Sequence, residues 1–334
     1  MRYYKINITD KAEKTIEDGH GNQFLFDSSE NPAGALNVSF DLPVFSEDVN
    51  VGGGSVIIGG LPLSMLSQSV NLWLANITIE AGFMPGLPLA TAQPKPGTII
   101  KGQIWNPYGN WEGALQTLNL VVNPSSSLDE NGKEISIKFA GRQGEKLSDV
   151  LTRCLKEAYP NKVIEIDIHQ NLVLSEDMPA VPYNKLSDLA QTIRNITQGM
   201  LNKPGYNGVY IVTQNGGIRV FDNDASGTPL ELKAQDLIGQ PTWAGFKLVS
   251  FKTPLRSDIQ VGDRIKLPLT LTSGPGVLLA QSSQQAFTSQ LSKLNFTGEY
   301  SVMSMRHIGE YRNPTGAAWV TAFEASPIND GDQA

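Results

Sequence analysis

Glu165, Asp167 and His169 alternate along one short segment, a spacing that on an extended strand places two acids and an imidazole on a single face. Such a trio is the raw material of a metal site or of acid–base chemistry. Ile164, Ile166 and Ile168 take the opposite face, so the segment also reads as a plain amphipathic strand with a solvated side, and that is the reading adopted. Asp222-Asn223-Asp224-Ala225-Ser226-Gly227 opens like a calcium loop, with oxygen ligands at alternate positions before a glycine. Lys233 stands where the closing glutamate belongs and Pro229 interrupts the loop, so a hairpin turn is expected instead. Gly54 and Gly59 have the spacing of a phosphate-binding loop, but Gly60 occupies the lysine position and Leu61 the hydroxyl position, which leaves nucleotide binding unsupported.

The sequence holds no Gly-x-Ser-x-Gly, no His-Glu-x-x-His and no Cys-x-x-Cys. Cys154 falls on the apolar stripe of a helical pattern and is expected in a core. His20 sits in a polar turn, Glu17-Asp18-Gly19-His20-Gly21, and His307 in a strand, neither with a motif partner. No catalytic residue, cofactor-binding residue or metal ligand is therefore assigned. Two rival functions stay open at this level. A peptidoglycan hydrolase would use Glu165 or Asp167 as its acid, yet no second carboxylate stands at a defined separation. A β-sandwich that binds carbohydrate or a receptor would use Trp105, Trp111 and Trp243 as stacking platforms, although core or interface packing suits each ring better.

The chain has 334 residues, enough for two or three domains. Charged residues make up 18% of it, below the ~25% of an average soluble protein, which favours a partly covered surface such as that of an assembly subunit. With 26 basic against 33 acidic residues the net charge is −7 and no basic run exists, so tight binding to a phosphate backbone is disfavoured. One cysteine makes no internal disulfide, and the polar start Met1-Arg2-Tyr3-Tyr4-Lys5 lacks the apolar core of a signal peptide, so folding in a reducing cytoplasm is expected. On that basis the five sequons, at Asn7, Asn37, Asn76, Asn195 and Asn295, are chance. The longest apolar stretch, Val56 to Leu66, is broken by Gly59, Gly60 and Pro62 and falls short of the ~20 residues of a membrane span.

The elements that must position these residues are mostly strands. Period-two spacing marks Tyr4, Ile6 and Ile8; Leu36, Val38 and Phe40; and Ile77, Ile79, Ala81 and Phe83. Strands are also expected over Thr98–Trp105 and Leu115–Val122, with Gly52-Gly53-Gly54, Gly86, Pro94, Pro96 and Asn106-Pro107 as punctuation. This first unit, 1–124, suits a barrel or sandwich and ends in the turn-rich Asn123-Pro124-Ser125-Ser126-Ser127. A small α+β module, 125–203, follows: a strand at Glu134–Phe139, a helix carrying Leu147, Val150, Leu151, Cys154, Leu155 and Ala158, and a hairpin of Val163–Ile168 with Leu172–Leu174. Its second helix carries Leu186, Leu189, Ala190, Ile193 and Ile196, with Asn184 or Ser187 as cap and Gly199 near its end. A β-hairpin connector, 204–238, pairs Val209–Thr213 with Ile218–Phe221 across an Asn215-Gly216 turn. The last unit, 239–334, has strands at Phe246–Lys252, Arg264–Leu267, Tyr300–His307 and Trp319–Glu324, with a Ser/Gln-rich excursion, Gln281–Ser292, and one short helix through Phe287, Leu291 and Leu294. Both units end in a hairpin with Gly-x-aromatic expected at its turn: Gly102 leads to Gly109-Asn110-Trp111, and Gly298 to Gly309-Glu310-Tyr311. The glycines stand seven and eleven residues apart, a weak hint of duplication.

Gly239-Gln240-Pro241-Thr242-Trp243, then Phe251 to Pro268 with Val261-Gly262-Asp263 as a tight turn, then Phe296-Thr297-Gly298-Glu299-Tyr300, Arg306-His307-Ile308-Gly309 and Ala318-Trp319-Val320-Thr321 together resemble the central baseplate hub of contractile-tailed phages. The resemblance is sharpest over 236–325, and Ala35–Asp41 and Lys101–Trp111 lie where that family's first barrel is expected. It implies a mainly β chain with two tail-tube-like antiparallel β-barrels, a small α+β module and a small accessory β element. It further implies a non-catalytic homotrimer in the virion, assembled in the host cytoplasm, whose six barrels form a pseudo-sixfold ring. That ring would join the tail tube protein to the central spike protein and touch tape measure and wedge proteins. DNA would pass through without specific binding, and the module and the 269–297 insertion would decorate the ring.

Overall fold

The computed structural model describes residues 1–334 apart from 50–52, 85–95, 126–127, 129–132, 202, 204–205, 225–227, 246–247, 269–295, 297 and 329–334. The fold is mainly β and antiparallel. The first unit contains β1 (Arg2–Thr9), β2 (Leu25–Asp27), β3 (Asn37–Val44), β4 (Gly54–Gly59), a short helix α1 (Leu63–Ser67), β5 (Asn76–Phe83), β6 (Gly97–Glu112) and β7 (Leu115–Asn123). Alternation works as expected: Tyr4, Ile6 and Ile8 on β1, Val38, Phe40 and Leu42 on β3, and Ile77, Ile79 and Ala81 on β5 all point into one core.

The module holds β8 (Ile137–Gly141), α2 (Leu147–Ala158), β9 (Ile164–Asp167), β10 (Met178–Tyr183) and α3 (Leu186–Thr197). Both helices form where apolar residues recur every three or four positions, and each carries an acid in its first turn and a base in its last, which complements the helix dipole. The expected caps are not used: Lys185 occupies the cap position of α3 without a side-chain bond. The expected hairpin of Val163–Ile168 with Leu172–Leu174 does not form either. β9 pairs in parallel with β12 (Gly217–Asp222), while the 172–174 segment bonds back to the residues leading into α2, Leu147 N donating to Leu172 O at 2.9 Å. The connector hairpin is as expected. β11 (Val209–Gln214) meets β12 across Asn215 and Gly216, whose φ values of 50° and 78° suit the left-handed turn that joins twisted strands. β11 is buried on both faces, one against the module core and one against the last unit.

The last unit comprises β13 (Leu230–Glu231), β14 (Thr242–Gly245), β15 (Leu248–Pro254), β16 (Arg264–Leu267), β17 (Gly298–Glu310) and β18 (Trp319–Pro327). The Gln281–Ser292 excursion with its helix, and the expected punctuation at Gly52, Gly86 and Pro94, lie outside the described residues. Thirteen strands from both units form one sheet, in the order β14-β15-β18-β17-β3-β4-β7-β6-β5-β1-β2, with β16 on β17 and β13 on β16. Two expected boundaries fall inside β6. Asn106-Pro107 directly follows a bulge at Trp105, where proline is tolerated, and the turn comes four residues beyond Gly109, at Gly113-Ala114.

The two units repeat one strand order. β3-β4-β7-β6-β5-β1 in the first corresponds, in the same sequence order, to β14-β15-β18-β17-β16-β13 in the second. Every pairing is antiparallel in both, except that the two-residue β13 runs parallel to β16. The register repeats as well. β6 bulges at Trp105 against β7, and β17 bulges at Met303 against β18. The residue after each bulge heads a row of direct partners across four strands: Asn106–Val121–Ser55–Asp41 in the first unit, and Ser304–Glu324–Ser250–Thr242 in the second. Two residues before each bulge, Gln103 pairs with Asn76 and Ser301 with Arg264, the first residues of β5 and β16. The glycines of the two hairpins are not equivalent, because Gly102 precedes its bulge by three residues and Gly298 by five. Repetition is written in the register and not in those residues.

Candidate assembly surface

Ile164, Ile166 and Ile168 pack on the module core as the alternation predicts, and Glu165 faces solvent. Asp167 and His169 do not join it in a site. Instead His169 meets the calcium-like segment. Its backbone N–H donates to Asp222 Oδ2 at 2.8 Å and its Nε2 lies 3.4 Å from Oδ2 of Asp224, whose Oδ1 Lys203 contacts. Asp222 is fully buried and also accepts from Tyr206 Oη at 3.0 Å and from Asp224 N at 2.9 Å. Burial pushes its carboxyl above the usual range, against the pull of these donors. The arrangement is a hydrogen-bonded knot that fixes the end of β12 against β9. Ala225-Ser226-Gly227 lies outside the described residues, and among the described residues no cluster of three metal-type ligands occurs.

The phosphate-loop spacing is dissolved by pairing. Gly54 to Gly59 form β4, flanked by β3 and β7, so their backbone groups serve the sheet. Cys154 is buried in α2, and burial raises its thiol to about 11, which makes it a core residue and no nucleophile. His307 is buried at the meeting of β17, β18 and β3, its Nδ1 2.9 Å from Thr321 Oγ1. Among the described residues no helix is long and apolar enough to cross a membrane.

One polar site had no motif to announce it. Ser46-Glu47-Asp48, beyond the end of β3, docks on the connector and module: Ser46 Oγ donates to Ile211 O at 3.0 Å and Glu47 N to the same carbonyl at 2.7 Å. Asp48 pairs with Arg194 of α3, whose guanidinium lies 4.4 Å from the Tyr210 ring centre. Burial pushes the Glu47 carboxyl up and the Lys162 ammonium down, each partly offset by the other charge. Only folding brings these distant residues together, so local sequence patterns carry no sign of them.

Among the described residues, two of the open sheet edges carry exposed aromatic rings. β17 has β18 along one side, and its other side is shared: β16 takes Gly298–Ser301 and β3 takes Met305–Glu310. β6 has β7 along one side and β5 on Gly97–Gln103 of the other. From Asn106 to Glu112 that side is paired with nothing among the described residues, and the outer side of β14 is equally open. Proteins usually blunt such edges with charge, yet 106–112 carries only Glu112 and 242–245 carries none. Trp105, Tyr108 and Trp111 are 47%, 49% and 65% exposed and Trp243 is 44% exposed, which removes a core role for the three candidate tryptophans. The edges at 106–111 and 242–245 are uncharged and carry exposed rings, the character of a surface that a partner covers.

No family model and no curated protein matches the sequence. Among solved structures the chain is similar to the tail protein from Neisseria meningitidis MC58, with 9% identity over 98% of this chain and 96% of that one at a TM-score of 0.46. It is similar to the 43 kDa tail protein of prophage MuSo2 from Shewanella oneidensis, with 8% identity over 98% and 97% at 0.49. It is also similar to a chain of the half-lidded Francisella PdpA–VgrG complex, with 8% identity over 100% and 59% at 0.47.

Proposed function

We propose that this chain is a non-catalytic structural subunit of a phage tail baseplate hub, acting as a homotrimer that joins the tail tube to the central spike and encloses a DNA conduit. The repeat of strand order and register between the two units carries the proposal. A chain holding two equivalent units turns three copies into six positions, which is the adaptation needed between a sixfold tube and a threefold spike. On this reading residues 1–124 and 239–334 are the tube-like units, 125–203 is the decorating module and 204–238 the connector between them. The net charge of −7 suits a channel past which phosphates slide. The buried knot at Asp222 and the solvated Glu165 support a scaffold better than a hydrolase, which needs its acid beside a second carboxylate in a cleft.

A reading as a glycan-binding module draws on the same exposed tryptophans. It requires a monomer that binds sugar, whereas the hub requires the rings to be covered by assembly. Gold-labelled antibody against this chain, applied to purified tails, should mark the end of the tube where the spike sits. Labelling along the sheath or on peripheral fibres would contradict the proposal.

A further inference from the structure

The internal joint of the chain shows how one unit binds the next, and the repeat shows where that joint recurs. In the chain, β3 of the first unit lies on the part of β17 beyond its bulge, from Met305 to Glu310. The counterpart of β17 is β6, and the part of β6 beyond its own bulge is open. The counterpart of β3 is β14, and its outer side is unpaired among the described residues. The vacant half of the joint at one end of the chain and the unused half at the other are therefore complementary. They cannot be joined within one chain in this fold, since β14 and β2 end opposite edges of the sheet order.

We infer that copies of this chain join head to tail through an antiparallel pairing of β6, residues 107–110, with β14, residues 242–245, of a second copy, in the register of the internal β17–β3 joint. The inference rests on the ring reading above and specifies its interface. The register follows from the rows. Ile308, five residues past Met303, faces Asp41. Asn110, five past Trp105, then faces Thr242, which holds the row position of Asp41. The same step puts Gly109 opposite Trp243.

In the internal joint the ring of Phe40 covers Gly309, so closely that a Cβ there would fall 2.2 Å from Phe40 Cζ. Gly109, which would face Trp243, is small for a reason within the chain, since a Cβ there would fall 3.1 Å from Leu66 O, and the Trp243 ring already packs on that of Phe296 at 5.6 Å. The internal joint carries Pro43 opposite Arg306, so proline in the outer pair is no obstacle. The exposed, uncharged character of both strands is what a surface covered by a second copy requires. Such an interface is heterologous, and it closes into a ring when the rotation per joint permits.

The test is a cysteine pair in the full chain, Asn110→Cys with Thr242→Cys, both exposed positions, with buried Cys154 left in place. Mild oxidation should give a covalent ladder of dimers and trimers on a non-reducing gel, and neither single variant should. Hydrogen exchange on the unsubstituted protein gives a second readout. The amides of 108–110 and 242–245 that point to the open side should slow by about tenfold or more on assembly, as newly bonded strand amides do. An assembly of three copies that shows neither the ladder nor the protection would overturn the interface and leave the ring standing. A chain that remains single at every concentration would overturn both.

Discussion

His307 is one residue through which pH acts on the fold. Complete burial drives its imidazole down to about 4, so the native protein keeps it neutral. An unfolded chain takes up that proton near pH 6.5, and between these values the unfolded state binds more protons. Stability contributed by His307 is therefore intact above pH 6.5 and is lost as pH falls toward about 4, by roughly 3 kcal/mol at ~1.4 kcal/mol per pH unit. Denaturant unfolding at pH 7.5 and pH 4.5 should show the loss, and His307→Gln should remove that share of the difference whatever it does to stability at pH 7.5. Asp222 makes a second prediction. Asp222→Ala strands the His169 N–H and the Tyr206 hydroxyl in a buried site, a cost of ~1–3 kcal/mol visible as a lowered Tm. Glu165→Gln, on the solvated face, should leave the Tm unchanged. The alternation of 164–169 was legible in the sequence because it depends only on strand geometry. The meeting of His169 with Asp222 was not, because it depends on β9 pairing in parallel with a strand fifty residues away, and a parallel pairing has no local turn to announce it.

At the scale of elements, the joint between β3 and β17 holds the two units in one sheet. Trp319 seals it: its indole N–H donates to Gly82 O at 3.0 Å, and its rings meet Phe40 at 5.1 Å and Tyr311 at 6.0 Å. Gly309→Val drives two methyl groups into Phe40 and should lower stability by ~1–3 kcal/mol, with Phe40→Ala recovering part of that loss in a double-mutant cycle. Thermal melts of the four proteins decide it, and simple additivity would mean that the ring and the glycine do not press on each other. Strands whose outward residues are polar could be read directly. β4 escaped because its outward Ile57 is apolar, which turned an alternating strand into a featureless greasy run through Val56–Leu66. β6 was cut short at Asn106-Pro107 because a bulge at Trp105 lets a strand carry a proline that local rules take as a stop.

At the scale of the whole molecule, two equivalent units share one sheet, and among the described residues an edge of each is unpaired. The repeat was nearly invisible beforehand, since the paired glycines that hinted at it turn out to hold different places relative to their bulges. What repeats is the partner of each residue, and partners belong to the fold. If the open edges are the contacts of a ring, the molecule has no comfortable monomeric state at high concentration. Size-exclusion chromatography with light scattering tests this most directly. Three copies of a 36.2 kDa chain should elute as one species of three times that mass, seen in electron micrographs as annular particles with a central hole. A single-chain mass that persists as concentration rises, with no annular particles, would contradict the account.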